Sequence, residues 1–308
     1  MDLDSANEIN LKDQALFNSY FQKFPPVTSE FTFTNLYMWR NFYNLNFIEW
    51  KEHLLLFSRN IFKKRKEPAS GNKNSLYFFP PVGPNPTEII ISLFKELEDL
   101  EFHRVPETIT DTIQNNIDYQ SLNLQILDDR DNWDYVYETE NLRTLPGNQY
   151  RQNRRWLNKF LEDYDYEFKI LTENEVNLVK KLQLEWCILR QCEDDESLKE
   201  EELAIYDALD NYSTLGFHGA LICVDEKCAA YTFGEMLNTD TMVIHVEKAH
   251  MDYEGAYQAI NNLFLKNNFK DVLYVNREQD LGVPGLRRAK ESYKPLRMEK
   301  KSIIYRKT

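Results

Sequence analysis

Arg277, Glu278, Asp280, Arg287, Arg288, Lys290, Tyr293 and Lys294 share one run, Tyr274-Val-Asn-Arg-Glu-Gln-Asp-Leu-Gly-Val-Pro-Gly-Leu-Arg-Arg-Ala-Lys-Glu-Ser-Tyr-Lys-Pro295. Guanidinium groups hold phosphate or carboxylate through paired hydrogen bonds, and lysines act as point charges. Carboxylates among them can fix arginine rotamers, hold an ammonium or take a proton. The run reads as a strand end, a Gly/Pro turn and a short helix, which is where α/β proteins set out reactive groups. A salt-bridged structural corner would have the same composition, and the residues alone leave both readings open.

Two further stretches carry charge in a pattern. Arg151, Arg154, Arg155 and Lys159 occur with no acid between them. On a helix Arg151, Arg154 and Arg155 share a face, as do Arg155 and Lys159, while Tyr150, Leu157, Phe160 and Leu161 can turn inward. The turn Glu247-Lys-Ala-His-Met-Asp-Tyr-Glu-Gly255 precedes a helix. An acyl-CoA pyrophosphate needs successive backbone N–H groups in a glycine-rich turn at such a place. One glycine among carboxylates and aromatics gives acyl-CoA little support, and no cofactor is expected. His245 and His250 bracket Glu247 without metal-ligand spacing and read as core or loop histidines. The chain holds no G-x-S-x-G elbow, Walker loop, H-E-x-x-H or dinucleotide fingerprint, so no metal is expected.

The elements that must position these residues follow from periodicity. In the N-terminal half, helical spacing covers 29–43, and 45–50 with 54–59 forms a hairpin across Lys51-Glu-His53. Lys63, Lys64, Arg65 and Lys66 lie in a polar loop that reads as solvated. A buried strand follows at 76–83, and Asn85-Pro-Thr-Glu88 opens a helix with Ile89, Ile90, Leu93, Phe94 and Leu97 inward. A strand at 102–105, a helix from Pro106 and strands at 122–127 and 133–138 complete this half. In the second half, strand 166–171 leads to helix 175–192. The acidic segment 193–202 precedes helix 203–209. The strands 219–224 and 228–235 form a hairpin, followed by strand 242–246, helix 254–266, strand 272–276, helix 286–293 and strand 298–305.

A chain of 308 residues suffices for two domains. Its net charge of -13 argues against wholesale binding of nucleic acid or anionic membrane but allows a local basic site. Cys187, Cys192, Cys223 and Cys228 form no C-x-x-C pair and are expected as reduced, half-buried thiols. The acidic start has no signal-peptide character, and no apolar run approaches the roughly 20 residues of a membrane span. The expectation is a cytoplasmic protein without stable membrane insertion and without DNA binding.

Several motifs together carry a resemblance. They are Asn141-Leu-x-x-Leu-x-Gly147, the basic helix through Arg154 and Asn158-x-Phe160, Glu247-Lys-Ala249, Asn276-Arg-Glu-Gln-Asp-Leu-Gly282, Gly285-Leu-Arg287, Ala289-Lys290 and Ser292-Tyr-Lys-Pro295. In these the chain resembles the family grouped with the C-terminal domain of phosphatidylglycerol lysyltransferase. The resemblance implies an α+β or α/β fold of two tandem GNAT-like (acyl-CoA N-acyltransferase) domains, with mixed sheets flanked by helices. The expected domains are 1–140 and 141–308, the second carrying the main charged cleft.

It further implies transfer of an aminoacyl group from aminoacyl-tRNA to an acceptor, either lipid-like or a small molecule. On that reading Arg277, Arg287, Lys290 and Lys294, with Tyr293 and Lys248, bind the substrates. Glu247 or Glu278 holds the aminoacyl ammonium or removes a proton, and Asp280 orients Arg277. Arg154 and Arg155 make peripheral phosphate contacts. The alternatives are a CoA-dependent N-acyltransferase and a non-catalytic ligand-binding protein of the same fold.

Overall fold

The computed structural model describes residues 1–59, 68–71, 76–269 and 271–307. The basic cluster at 63–66 lies outside the described residues. The chain divides into two compact units: Met1–Asp134 with Gln279–Gly282 and Met298–Thr308, and Tyr135–Glu278 with Val283–Arg297.

The first unit is built on a seven-stranded sheet. Its strands are β1 (Asn7–Glu8), β2 (Asn46–Trp50), β3 (His53–Ser58), β4 (Leu76–Phe78), β5 (Leu100–Pro106), β6 (Leu124–Asp128) and the chain's last strand, Lys301–Arg306. That last strand pairs antiparallel with both β5 and β6, whereas β4 and β5 run parallel. The hairpin β2/β3 turns through Lys51 and Glu52, both at positive φ (48° and 61°). This backbone matches strand twist, which here outweighs the usual preference for glycine or asparagine.

Helices α1 (Gln14–Lys23), α2 (Phe33–Tyr43), α3 (Pro86–Glu96), α4 (Glu107–Gln114) and α5 (Asp118–Ser121) accompany the sheet. Pro at the start of α3 needs no N–H donor there, and Asn85 supplies a left-handed φ of 50° rather than a side-chain cap. The helix then buries Ile90, Leu93 and Phe94 against Leu55, Phe57, Phe78, Phe102 and Ile304.

The second unit has its own seven-stranded sheet. It contains β7 (Asp134–Glu138), β8 (Tyr166–Ile170), β9 (His218–Val224), β10 (Lys227–Met236), β11 (Thr241–Ala249), β12 (Tyr274–Asn276) and β13 (Arg297–Glu299), in the order β13-β7-β12-β11-β10-β9-β8; the Lys301–Arg306 strand is therefore β14. Its helices are α6 (Thr139–Thr144), α7 (Arg151–Asp163), α8 (Val176–Arg190), α9 (Glu196–Asp210), α10 (Tyr212–Leu215), α11 (Ala256–Asn267) and α12 (Pro284–Ser292). The acidic segment is helical from Glu196, because Asp195 caps α9 by accepting from the N–H groups of Ser197 and Leu198. β11 and β12 run parallel, so the chain between them must cross over, and α11 is that crossover. Gly255 starts α11 at φ 84°, and a Cβ there would lie 2.2 Å from the Trp156 carbonyl oxygen on α7.

Two of the four cysteines depart from the reduced state expected of them. Helix α8 ends at Gln191, whose left-handed φ of 54° turns Cys192 back onto Cys187. The two form a disulfide with their Cα atoms 5.0 Å apart, while Cys223 and Cys228 are free and buried. Closing so short a loop removes about 2 kcal/mol of unfolded-chain entropy. Cys192→Ala is therefore expected to lower unfolding stability by about that amount without reductant, and by much less with it. Thiol titration of the unfolded chain, with and without reductant, checks the pairing itself.

Candidate functional site

β11 and β12 pair over only Thr241–Tyr274, Met242–Val275 and Val243–Asn276. Beyond that point β11 runs on to Ala249, while the segment after β12 leaves through Arg277 and Glu278, the latter at a left-handed φ of 55°. The diverging ends carry charge on both sides. Glu278 Oε1 lies 2.9 Å from His245 Nδ1, and Arg277 Nη2 donates to Glu247 Oε1 at 2.7 Å.

A β-bulge aims the first pair. Phe233 of β10 faces Val246 and Gly234 faces Ile244, which leaves His245 as the extra residue. The bulge needs glycine opposite, since a Cβ on Gly234 would sit 2.1 Å from the Val243 carbonyl oxygen. His245 is thereby held between Glu235 (3.0 Å) and Glu278 (2.9 Å), with its side chain 2% exposed.

Burial alone would lower the His245 pKa, but hydrogen bonds to Glu235 and Glu278 outweigh it and raise the group to about 9. A folded value above the unfolded one gives stability that is complete below about pH 6.5 and lost as pH rises through about 9. Stability against urea is expected to fall over that window by roughly 3 kcal/mol, and His245→Gln should flatten the trend.

The second pair is nearly buried, with Arg277 and Glu247 side chains 12% and 11% exposed. Their attraction is therefore poorly screened by water. The other carboxylate oxygen, Glu247 Oε2, accepts from Asn261 Nδ2 of α11 at 2.9 Å. The Arg277 guanidinium lies 4.7 Å from the ring centre of Tyr293 and 5.7 Å from that of Tyr137. Burial acts against the charged guanidinium, yet the Glu247 carboxylate beside it holds the Arg277 pKa above its ordinary value. Burial pushes both phenols up, so they stay protonated, and Tyr137 donates to the Lys290 carbonyl at 2.8 Å. Lys290 Nζ donates in turn to the Arg277 carbonyl.

Of the residues singled out by sequence, Glu247, Arg277, Glu278, Lys290 and Tyr293 thus gather at the diverging strands. Lys248 points away from Glu247, as neighbours on a strand do, and binds Glu201 (2.7 Å) with its ammonium 3.7 Å from the Trp186 ring centre. Asp280 belongs to the first unit, where it accepts from Arg130 (3.1 Å) and the Gly282 N–H (2.8 Å). Arg154 donates to the carbonyls of Leu145 and Gly147, bracing a left-handed turn. Arg155 is exposed and lines a surface groove of about 580 Å³ along α7 with Arg151, Arg154, Asn158, Lys159, Glu162 and Asp163, where Asp163 pairs with Lys159 at 2.8 Å. Arg287 is half-buried on α12 and Lys294 is exposed just after it. Sequence reasoning missed Asn261, Tyr137 and the clamping of His245. Asn261 had a visible signal, as a polar residue one turn from Tyr257 on the inward stripe of α11.

The first turn of α11 does not fit an acyl-CoA pyrophosphate. Its glycine packs on the α7 backbone, and the Glu254 N–H donates to the Tyr164 hydroxyl at 3.3 Å. No cluster that could hold a metal occurs among the described residues, and none of their helices is long and apolar enough to cross a membrane.

The model for the family "Phosphatidylglycerol lysyltransferase, C-terminal" matches residues 21–305. The chain belongs to this family. A conserved protein of unknown function from Bacteroides thetaiotaomicron is 28% identical, with a TM-score of 0.85 over 97% of this chain and 98% of that one. L-PGS from Bacillus licheniformis is 13% identical, with a TM-score of 0.63 over 96% and 92%, a likeness of fold. An uncharacterized protein of Mycoplasmoides gallisepticum is 28% identical over 177 residues. The match covers 55% of each chain, so it spans about half the length of that curated relative. The two mixed sheets flanked by helices are the tandem GNAT-like fold that the motifs implied, and the family is one of acyltransferase type.

Proposed function

We propose that the protein moves an aminoacyl group from aminoacyl-tRNA to a lipid-like or small-molecule acceptor, at the diverging ends of β11 and β12. The observation that carries this reading is the nearly buried Arg277–Glu247 pair framed by Tyr137 and Tyr293. Family membership supports it.

The chemistry asked of such a site is modest, because an aminoacyl ester is already activated. An acceptor hydroxyl or amine attacks the ester carbonyl, the new bond forms, and the ribose oxygen of the tRNA leaves with the acceptor's proton. Arg277 stabilises the charge that develops on the carbonyl oxygen. Glu247 faces the aminoacyl ammonium. Glu278, hydrogen-bonded to His245 with its side chain 18% exposed, takes the proton from the acceptor and passes it on. The exposed arginines of α7, Arg151 and Arg155, meet phosphates of the tRNA end.

Binding of a mixed aminoacyl-tRNA pool and of acetyl-CoA, each at low and moderate salt, tests the reading. Salt-sensitive retention of the tRNA is expected. Saturable acetyl-CoA binding without tRNA binding would overturn it in favour of CoA-dependent acylation.

A further inference from the structure

Two buried polar atoms beside Glu247 have no hydrogen-bond partner among the described residues: Nη1 of Arg277 and Oδ1 of Asn261. Their sense is fixed by the contacts their neighbours make. Arg277 Nη2 donates to Glu247 Oε1, and Asn261 Nδ2 donates to Oε2. An ionised carboxylate only accepts, so the Asn261 amide must turn its nitrogen toward Glu247 and its oxygen away. Asn261 itself is 1% exposed. One donor and one acceptor are thus left over on the two groups that bracket a single carboxylate. Buried polar atoms in native proteins are nearly always satisfied. A leftover pair of opposite sense calls for a ligand that offers an acceptor and a donor close together.

We infer that Asn261 selects acyl donors that carry a free α-amine, its Oδ1 and Glu247 holding the ammonium while Arg277 Nη1 takes the acyl carbonyl. This rests on the aminoacyl-tRNA reading and sharpens it. An α-aminoacyl ester has its carbonyl oxygen and its ammonium on adjacent carbons. An N-acylated aminoacyl ester loses the positive charge, keeps one N–H and adds bulk. A plain acyl ester or thioester offers no donor at all and leaves Asn261 Oδ1 unsatisfied. A site built around a substrate N–H discriminates strongly against analogues that lack it.

The test uses the whole protein and three forms of one tRNA pool: aminoacylated, aminoacylated then N-acetylated with acetic anhydride, and deacylated with mild base. At fixed low salt the untreated pool should be retained at least about tenfold better than either other form. Asn261→Leu should shrink that preference to within about twofold. Equal retention of the acetylated and untreated pools by the wild-type protein would overturn the inference while leaving tRNA binding intact. Retention of none of the three would overturn the aminoacyl-tRNA reading, and this inference with it. The wild-type comparison decides the matter even where Asn261→Leu folds poorly.

Discussion

Arg277→Ala is expected to lower aminoacyl-tRNA retention by about 100-fold and to destabilise the second unit by about 3–5 kcal/mol. The loss of binding follows from the missing guanidinium, and the loss of stability from the uncompensated Glu247 carboxylate. The substitution removes the guanidinium at 2.7 Å and leaves a carboxylate that is 11% exposed and held by Asn261. An uncompensated buried charge costs more than the pair was worth, so an apolar replacement of both members should recover most of the stability. Arg277→Met with Glu247→Leu is therefore expected to unfold near the wild-type urea midpoint and still fail to retain the tRNA. Arg277→Lys should keep the charge but lose the forked donor geometry, and with it most of the binding. Urea titration with filter binding on the four proteins checks this. Wild-type stability in Arg277→Ala would contradict the buried-pair description.

Lys301→Met is expected to cost a similar 3–5 kcal/mol in the first unit. Lys301 is 0% exposed and donates to Glu30 Oε1 (2.7 Å), Glu30 Oε2 (2.8 Å) and Asp134 Oδ1 (2.6 Å). Asp134 is also held by the Ser29 N–H and hydroxyl and by Gln279, so it has hydrogen bonds to spare. Glu30 also accepts from Gln279 (2.9 Å) and lies 3.7 Å from Arg104, but the lysine is the strongest positive charge acting on it. Burial raises its pKa foremost, the Asp134 charge adds to that, and Lys301 works the other way. Without Lys301 the Glu30 pKa should climb further. A carboxyl group raised in the folded state binds more protons there than in the unfolded chain, so stability falls as pH rises above its unfolded value. The loss in Lys301→Met is therefore expected to be larger at pH 7 than at pH 5. Urea unfolding at the two values checks it, and an equal loss at both would contradict the dominance of Glu30.

Local periodicity and turn chemistry made much of the fold legible. The hairpins at Lys51-Glu52 and Asp225-Glu226 followed from strand-like apolar segments on either side of a short polar break, although both turns place charged residues at positive φ. The helix from Pro86 followed from its proline and apolar stripe. Partnership between distant segments was not legible. Strand spacing at the C-terminus announced a strand, but nothing local said that it pairs with β5 and β6 of the first unit, because period-two alternation carries no address.

The same limit shaped the site. Arg277 and Glu247 could be named from residue type at a strand end, and the β11–β12 pairing then brought them together. Lys248 was named beside Glu247, but alternation sends it to Trp186 and Glu201. Asp280 was named beside Arg277, but the chain at 279–282 runs with the first unit. Asn261 and Tyr137 enter from an adjacent helix and strand, and only three-dimensional register places them. The disulfide depends on one left-handed residue, Gln191, which neither cysteine spacing nor composition reveals.

The most direct measurement is a crystal structure with an amide-linked 3′-aminoacyl-adenosine, which mimics the charged tRNA end without being transferred. Expected is the acyl carbonyl oxygen within hydrogen-bond reach of Arg277 Nη1, with the amine on Glu247 and Asn261 Oδ1. Occupancy of any other place, with the Arg277–Glu247 pair untouched, would contradict the assignment of this site to the aminoacyl group.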